Sequence, residues 1–273
     1  LGETEAAWVV LDPDCPNGHH VFADSQNNGP CGQALTEELI PELEKQFRIG
    51  RNRGSRLVTG HSSGGWSSLW LQVRYPDVFG GVWSTAPDPV DFRDFQRLDL
   101  NAPMANLFFD QAGKLRDLSR SRRGKALNFR DFSRMEEVMG RGGQLGSFEA
   151  VFSQRGVDGK PVKLWDRSTG AIDARTAQSW VPYDIARRLD ENWRQLEPKL
   201  SGRLFVYCGT ADTFYLDGAV ILLRDMLEKK QAKAVVEMIP EADHGSFLTR
   251  PFREKIARQM EKVLQANREG AKP

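Results

Sequence analysis

The chain has 273 residues with 38 Lys plus Arg against 37 Asp plus Glu, for a formal net charge of +1. Near-neutral charge excludes a nucleic-acid binder that works through its whole surface, and 40% hydrophobic residues exclude a disordered chain. No apolar run approaches the roughly 18 residues of a membrane span, and three cysteines, Cys15, Cys31 and Cys208, are too few for a disulfide scaffold, although one Cys15–Cys31 bridge is possible.

The first residue is Leu1, and neither a basic n-region nor an apolar h-region follows it. Any targeting segment would lie upstream of Leu1, so a secreted or periplasmic location stays open. Residues 7–11, Ala-Trp-Val-Val-Leu, form a short apolar run closed by Asp12-Pro13-Asp14. This predicts a strand buried on both faces. Residues 13–34 are rich in Pro, Gly, Asn and Asp and predict a loop. A helix is expected over 36–48, with Leu39, Leu43 and Phe47 on one face and Pro41 in its first turn or at a kink.

A second short strand, 56–59, runs into Gly60-His61-Ser62-Ser63-Gly64-Gly65. Beyond it Trp66, Leu69, Trp70 and Val73 repeat at helical spacing, and Pro76 follows. Further strands are expected at 81–85, 204–208 and 234–239, with helices near 216–229 and 251–268. Strands alternating with helices indicate an α/β fold with a mostly parallel sheet. Residues 92–200 lack that rhythm, although Ile185, Leu189, Trp193 and Leu196 mark a helix at 184–197. The expected organisation is a core over 1–91 with the nucleophile, a cap-like insertion over 92–200 that does not fold separately, and a core over 201–273 with acid and base.

Gly60-x-Ser62-x-Gly64 lies between a strand and an amphipathic helix, the context that a nucleophile elbow requires. A sharp strand-to-helix turn leaves no room for Cβ atoms near the serine, and the helix N-terminus favours developing negative charge. A serine nucleophile needs a base, and the base needs an orienting acid. His244 follows the strand at 234–239, and Asp212 follows the strand at 204–208. In a parallel sheet both would share the C-terminal edge with Ser62. Asp212 is preferred as the acid over Asp217, which falls in the next helix, and over Asp243, which adjoins His244. His61 is expected to pack beside the nucleophile, where it is a candidate for substrate contact. His19 and His20, on the loop after 7–11, are candidates for substrate contact or for structural hydrogen bonding. Asp88, Asp91 and Asp94 lack the Gly and terminal Glu of a calcium loop, so neither a metal nor a cofactor is assigned. The basic stretch from Arg116 to Arg130 reads as a solvated loop or an anion site. Trp165, Trp180 and Trp193 read as a small core of the insertion or as a substrate platform.

The chain resembles the α/β-hydrolase superfamily, and within it the putative-esterase family that includes esterase D, feruloyl esterases and the mycolyltransferases. Four stretches carry the likeness: Glu38 to Glu44, Gly60 to Gly80, Gly209 to Asp212, and Asp243 to Gly245. The resemblance implies a three-layer fold, Ser62 as nucleophile, Asp212 as acid and His244 as base, with the Ser63 N–H as one oxyanion donor. It implies a serine esterase acting on a small-molecule or carbohydrate-linked ester. An acyltransferase or peptidase with the same triad, and a non-catalytic binding protein on this scaffold, are the alternatives. In such hydrolases a second oxyanion donor follows a strand that would precede 7–11, which implies strands upstream of Leu1. For the chain taken alone, residues 7–11 are expected to pair directly with 56–60, bringing a backbone N–H of 13–34 toward Ser62. Without that pairing, the expectation is an inactive fragment.

Overall fold

The computed structural model describes residues 6–120 and 126–269. Its centre is a four-stranded sheet of β1 (Leu57–His61), β2 (Gly81–Thr85), β3 (Leu204–Gly209) and β4 (Val235–Ile239), in that spatial order. Each neighbouring pair is parallel, with Leu57 opposite Gly81, Val82 opposite Leu204, and Phe205 opposite Val235. All four C-terminal ends therefore lie along one edge, where ligand sites of open parallel sheets form.

Helices flank the sheet, as the alternating pattern predicts. In chain order they are α1 (Ile40–Phe47), α2 (Ser63–Arg74), α3 (Phe129–Met139), α4 (Leu145–Phe152), α5 (Ala174–Trp180), α6 (Ile185–Leu200), α7 (Asp217–Lys229) and α8 (Arg250–Glu269). A π-helical stretch, Leu35–Leu39, leads directly into α1. Pro41 sits at the start of α1, and a π turn just before it accommodates the missing proline N–H. Helix α2 is buried from Gly65 through Val73, because it lies under the insertion as well as on β1 and β2.

Residues 92–200 share one continuous apolar core with the sheet. Phe92, Phe95, Phe148, Phe152 and Trp180 cluster with Trp66, Val82 and Val206. Trp165, Trp180 and Trp193 are all buried in it. The indole N–H groups of Trp165 and Trp180 donate to Ser133 Oγ at 3.1 Å and Ser153 Oγ at 2.9 Å. These tryptophans are thus core, and none is displayed as a platform.

Two expectations fail at the N-terminal side. Residues 7–11 form no strand, and among the described residues no backbone hydrogen bond joins them to 56–60. Trp8 is 66% exposed and Val10 95% exposed. The apolar run has the composition of a buried strand, but strand character needs a hydrogen-bonded neighbour, and among the described residues no strand pairs with it. Among the described residues, strand β1 is consequently an edge strand. Beside it lies a cleft of about 680 Å³ lined by Trp8, Leu43, Leu57, Val58, Met260 and Leu264 among others. The possible Cys15–Cys31 bridge is not formed, since all three cysteines are free thiols. Cys31 Sγ instead donates to the Asn28 carbonyl at 3.3 Å.

Candidate active site

Ser62 sits between β1 and α2 with φ +58° and ψ −122°, a region that non-glycine residues seldom adopt. Such strain is held only where the surroundings over-determine it. Here the Ser62 N–H donates to the Thr85 carbonyl at 3.0 Å, and the Ser62 carbonyl accepts from Trp66 N–H at 3.0 Å. The turn is so tight that a Cβ on Gly60 would lie 2.0 Å from the Gly64 carbonyl oxygen. One on Gly65 would lie 2.7 Å from the Thr85 carbonyl oxygen, whereas one on Gly64 would meet nothing within 4 Å. Sterics therefore demand glycine at 60 and 65, so the Gly-x-Ser-x-Gly spacing names one of the two required positions correctly.

Asp212 follows β3 and is 0% exposed. Its Oδ1 accepts the N–H of Phe214 at 2.8 Å and that of Leu216 at 3.3 Å. Its Oδ2 lies 2.8 Å from His244 Nδ1. A carboxylate held by two backbone donors can only accept, so in the neutral form of the His244 ring the proton sits on Nδ1 and Nε2 keeps its lone pair. Gly209 lets the two loops meet, because a Cβ there would lie 2.1 Å from the Ala242 carbonyl oxygen. The rival acids are occupied elsewhere. Asp217 accepts from Arg120 at 2.9 and 3.0 Å. Asp243 accepts the N–H groups of Gly245 and Ser246 at 2.9 and 2.7 Å, shaping the turn that presents His244.

The His244 ring packs 4.6 Å from the His61 ring and 4.9 Å, edge to face, from Phe214. His61 immediately precedes Ser62, so the base candidate and the elbow are brought together. Among the described residues Ser62 Oγ has no hydrogen-bond partner, and in particular none joins it to His244. His61 Nδ1 lies 3.1 Å from Thr85 Oγ1. Burial, and then the neighbouring His244, hold the His61 imidazole below its ordinary pKa.

Ser63 opens α2, where the first four N–H groups have no acceptor within the helix. Its hydroxyl donates to Asp88 Oδ2 at 2.6 Å. Gln144, just before α4, donates from Nε2 to Ser63 Oγ at 3.0 Å and to Asp88 Oδ2 at 3.1 Å. His19 Nε2 lies 3.4 Å from Gln144 Oε1, so His19 reaches the elbow only through Gln144. His20 is turned into its own loop, where its Nδ1 accepts the Phe22 N–H at 3.1 Å. Burial lowers the pKa of both imidazoles. The expected stand-in oxyanion donor does not emerge from most of this loop. The N–H groups of His19, His20, Phe22 and Ala23 are taken up by Ser147 Oγ, the Pro13 carbonyl, His20 Nδ1 and the His20 carbonyl. Asp88 and Gln144 escaped the sequence reading: Asp88 appeared only within an acidic trio, and nothing local ties Gln144 to the elbow.

The insertion reaches this edge at two further points. Arg120 N–H donates to the Thr213 carbonyl at 2.7 Å, and Gln96 Nε2 to the Phe214 carbonyl at 3.0 Å. Of the basic stretch, Arg116 is spent on the carbonyls of Arg97, Asn106 and Phe109. Arg122, Arg123 and Lys125 lie outside the described residues.

The chain was compared with known proteins. Among solved structures, a ferulic acid esterase superposes with a TM-score of 0.48 at 12% identity, over 89% of this chain and 64% of its own. An S-formylglutathione hydrolase from Agrobacterium tumefaciens gives 0.44 at 15% identity, over 90% and 64%. The fluorophosphonate-binding serine hydrolase F of Staphylococcus aureus gives 0.45 at 13%, over 90% and 68%. The chain thus spans 64% of the length of each of the first two. No curated protein sequence matches it. The family model described as Putative esterase matches residues 22–245, from the loop before the elbow to the glycine after His244. The chain belongs to that esterase family.

Proposed function

We propose that the protein is a serine hydrolase that cleaves a carboxylic ester through an acyl-enzyme on Ser62. The observation that carries this reading is the 2.8 Å contact between His244 Nδ1 and Asp212 Oδ2, on the same sheet edge as the strained turn at Ser62. A buried acid that fixes one imidazole nitrogen frees the other to act as a general base.

In the proposed reaction Ser62 Oγ attacks the ester carbonyl as its proton passes to His244 Nε2. The negative charge on the carbonyl oxygen is met by the Ser63 N–H at the positive end of α2. Collapse of the tetrahedral intermediate expels the alcohol, which takes the proton from His244. Water then attacks the acyl-enzyme, gives a proton to His244, and Ser62 leaves with that proton. Asp212 keeps the imidazole in one tautomer and stabilises the imidazolium formed in each half. The substrate class is a small-molecule or carbohydrate-linked ester.

A fluorophosphonate probe tests this reading. Covalent labelling is expected on the peptide containing Ser62 and is lost in Ser62→Ala. A wild-type protein that stays unlabelled points instead to a binding protein on a hydrolase scaffold, or to the inactive fragment expected when residues 7–11 do not pair with 56–60.

A further inference from the structure

Asp88 grips the elbow twice. Its backbone N–H donates to the Ser62 carbonyl at 3.3 Å, and its side chain accepts the Ser63 hydroxyl at 2.6 Å. It is 5% exposed, and no lysine or arginine among the described residues pairs with it. Burial pushes its carboxyl up to about 6, although the hydrogen bonds from Ser63 and Gln144 and the nearby His244 pull the other way. A buried carboxylate without a cation is costly to keep, and such arrangements concentrate at functional sites.

The third corner is equally fixed. Glu136 of α3 accepts the N–H groups of Gln144, Leu145 and Gly146 at 2.5, 3.0 and 3.0 Å, so it caps α4 and pins the backbone of Gln144. A carboxylate accepts only, so the Gln144 amide must turn Nε2 toward Asp88 and Oε1 toward His19. Three side chains from the elbow, the loop after β2 and the insertion thus close a triangle around Ser63 Oγ.

We propose that Asp88 is a positioning residue for ester hydrolysis: with Gln144 it clamps Ser63, so that the Ser63 N–H stays aimed at the oxyanion formed when Ser62 attacks. The clamp rests on the reading of Ser62 as nucleophile. Oxyanion donors act by being preorganised, and a hydroxyl held from two sides removes the freedom of the first helical residue to rotate its amide away.

The test compares wild type, Asp88→Asn, Ser63→Ala and the double variant, with p-nitrophenyl acetate as substrate and a fluorophosphonate to count Ser62. Each single variant is expected to lose about 10- to 100-fold in kcat, with KM within about twofold, because the donor acts only in the transition state. The double variant is expected to lose no more than the worse single one, since both break one device. Asp88→Asn keeps its melting temperature or raises it. Wild-type kcat in both single variants, a loss confined to KM, or additive losses in the double variant overturn the clamp. Should Asp88→Asn fail to fold, Ser63→Ala decides alone, and wild-type kcat there overturns it. A wild type that neither labels nor turns over removes the hydrolase reading and the clamp together. A labelled, active wild type with unaffected variants removes the clamp only.

Discussion

At the scale of single residues, the site depends on a few side chains held by backbone donors and on glycines that let chain segments touch. The meeting of Asp212 with His244 was legible in the sequence, because each follows an apolar strand in an order that a parallel sheet brings to one edge. Removing the carboxylate while keeping its shape, Asp212→Asn, leaves the His244 tautomer unspecified. The expected loss in kcat is about 10³- to 10⁴-fold, measured at saturating ester. The glycines behave unequally. Gly60→Ala puts a methyl 2.0 Å from backbone and is expected to unfold the elbow, whereas Gly64→Ala meets nothing and is accommodated. Melting temperatures of the two variants check this: a large fall is expected for Gly60→Ala and a change within about 1 kcal/mol for Gly64→Ala.

At the scale of elements, the alternating strands and helices were readable from periodicity, and all four sheet strands fall where the apolar runs predict them. The segment at 7–11 misled because composition records the suitability of residues for a strand, not the presence of a partner. Gln144 and Asp88 were illegible for a related reason: their roles arise where the insertion meets the elbow, a contact that no local pattern encodes. The open side of β1 has a direct consequence. Its amides are expected to exchange hydrogen faster than those of β2 and β3, which are paired on both sides. Equal protection in a hydrogen-exchange experiment would mean that something covers this edge. Helix α4 depends on a carboxylate borrowed from α3. Glu136→Gln weakens three N–H contacts at its first turn and is expected to destabilise the protein by about 1–2 kcal/mol in urea unfolding.

For the whole molecule, the insertion and the sheet share one core, so stability and site geometry are coupled. Two buried carboxyls give that coupling a pH signature. Burial raises both Asp88 and Asp184 to about 6 from an ordinary 3.8. Between those values the folded state binds more protons than the unfolded one, so stability falls as pH rises from about 4 to about 6 and levels off above. A shift of about 2 units corresponds to about 3 kcal/mol for each group as an upper bound. Unfolding in urea at stepped pH is expected to show this slope, and Asp88→Asn to reduce it by its own share. A slope that is flat in the wild type, or identical in the variant, contradicts the assignment to Asp88.

The central claim is that Ser62 carries the acyl group, and mass spectrometry of the protein quenched in acid during turnover of an activated ester tests it most directly. The account predicts a mass increase equal to one acyl group, mapped to the peptide holding Ser62, accumulating in His244→Ala if it forms there and absent in Ser62→Ala. Ester turnover with no acyl group on Ser62, or with the group on another residue, would contradict it.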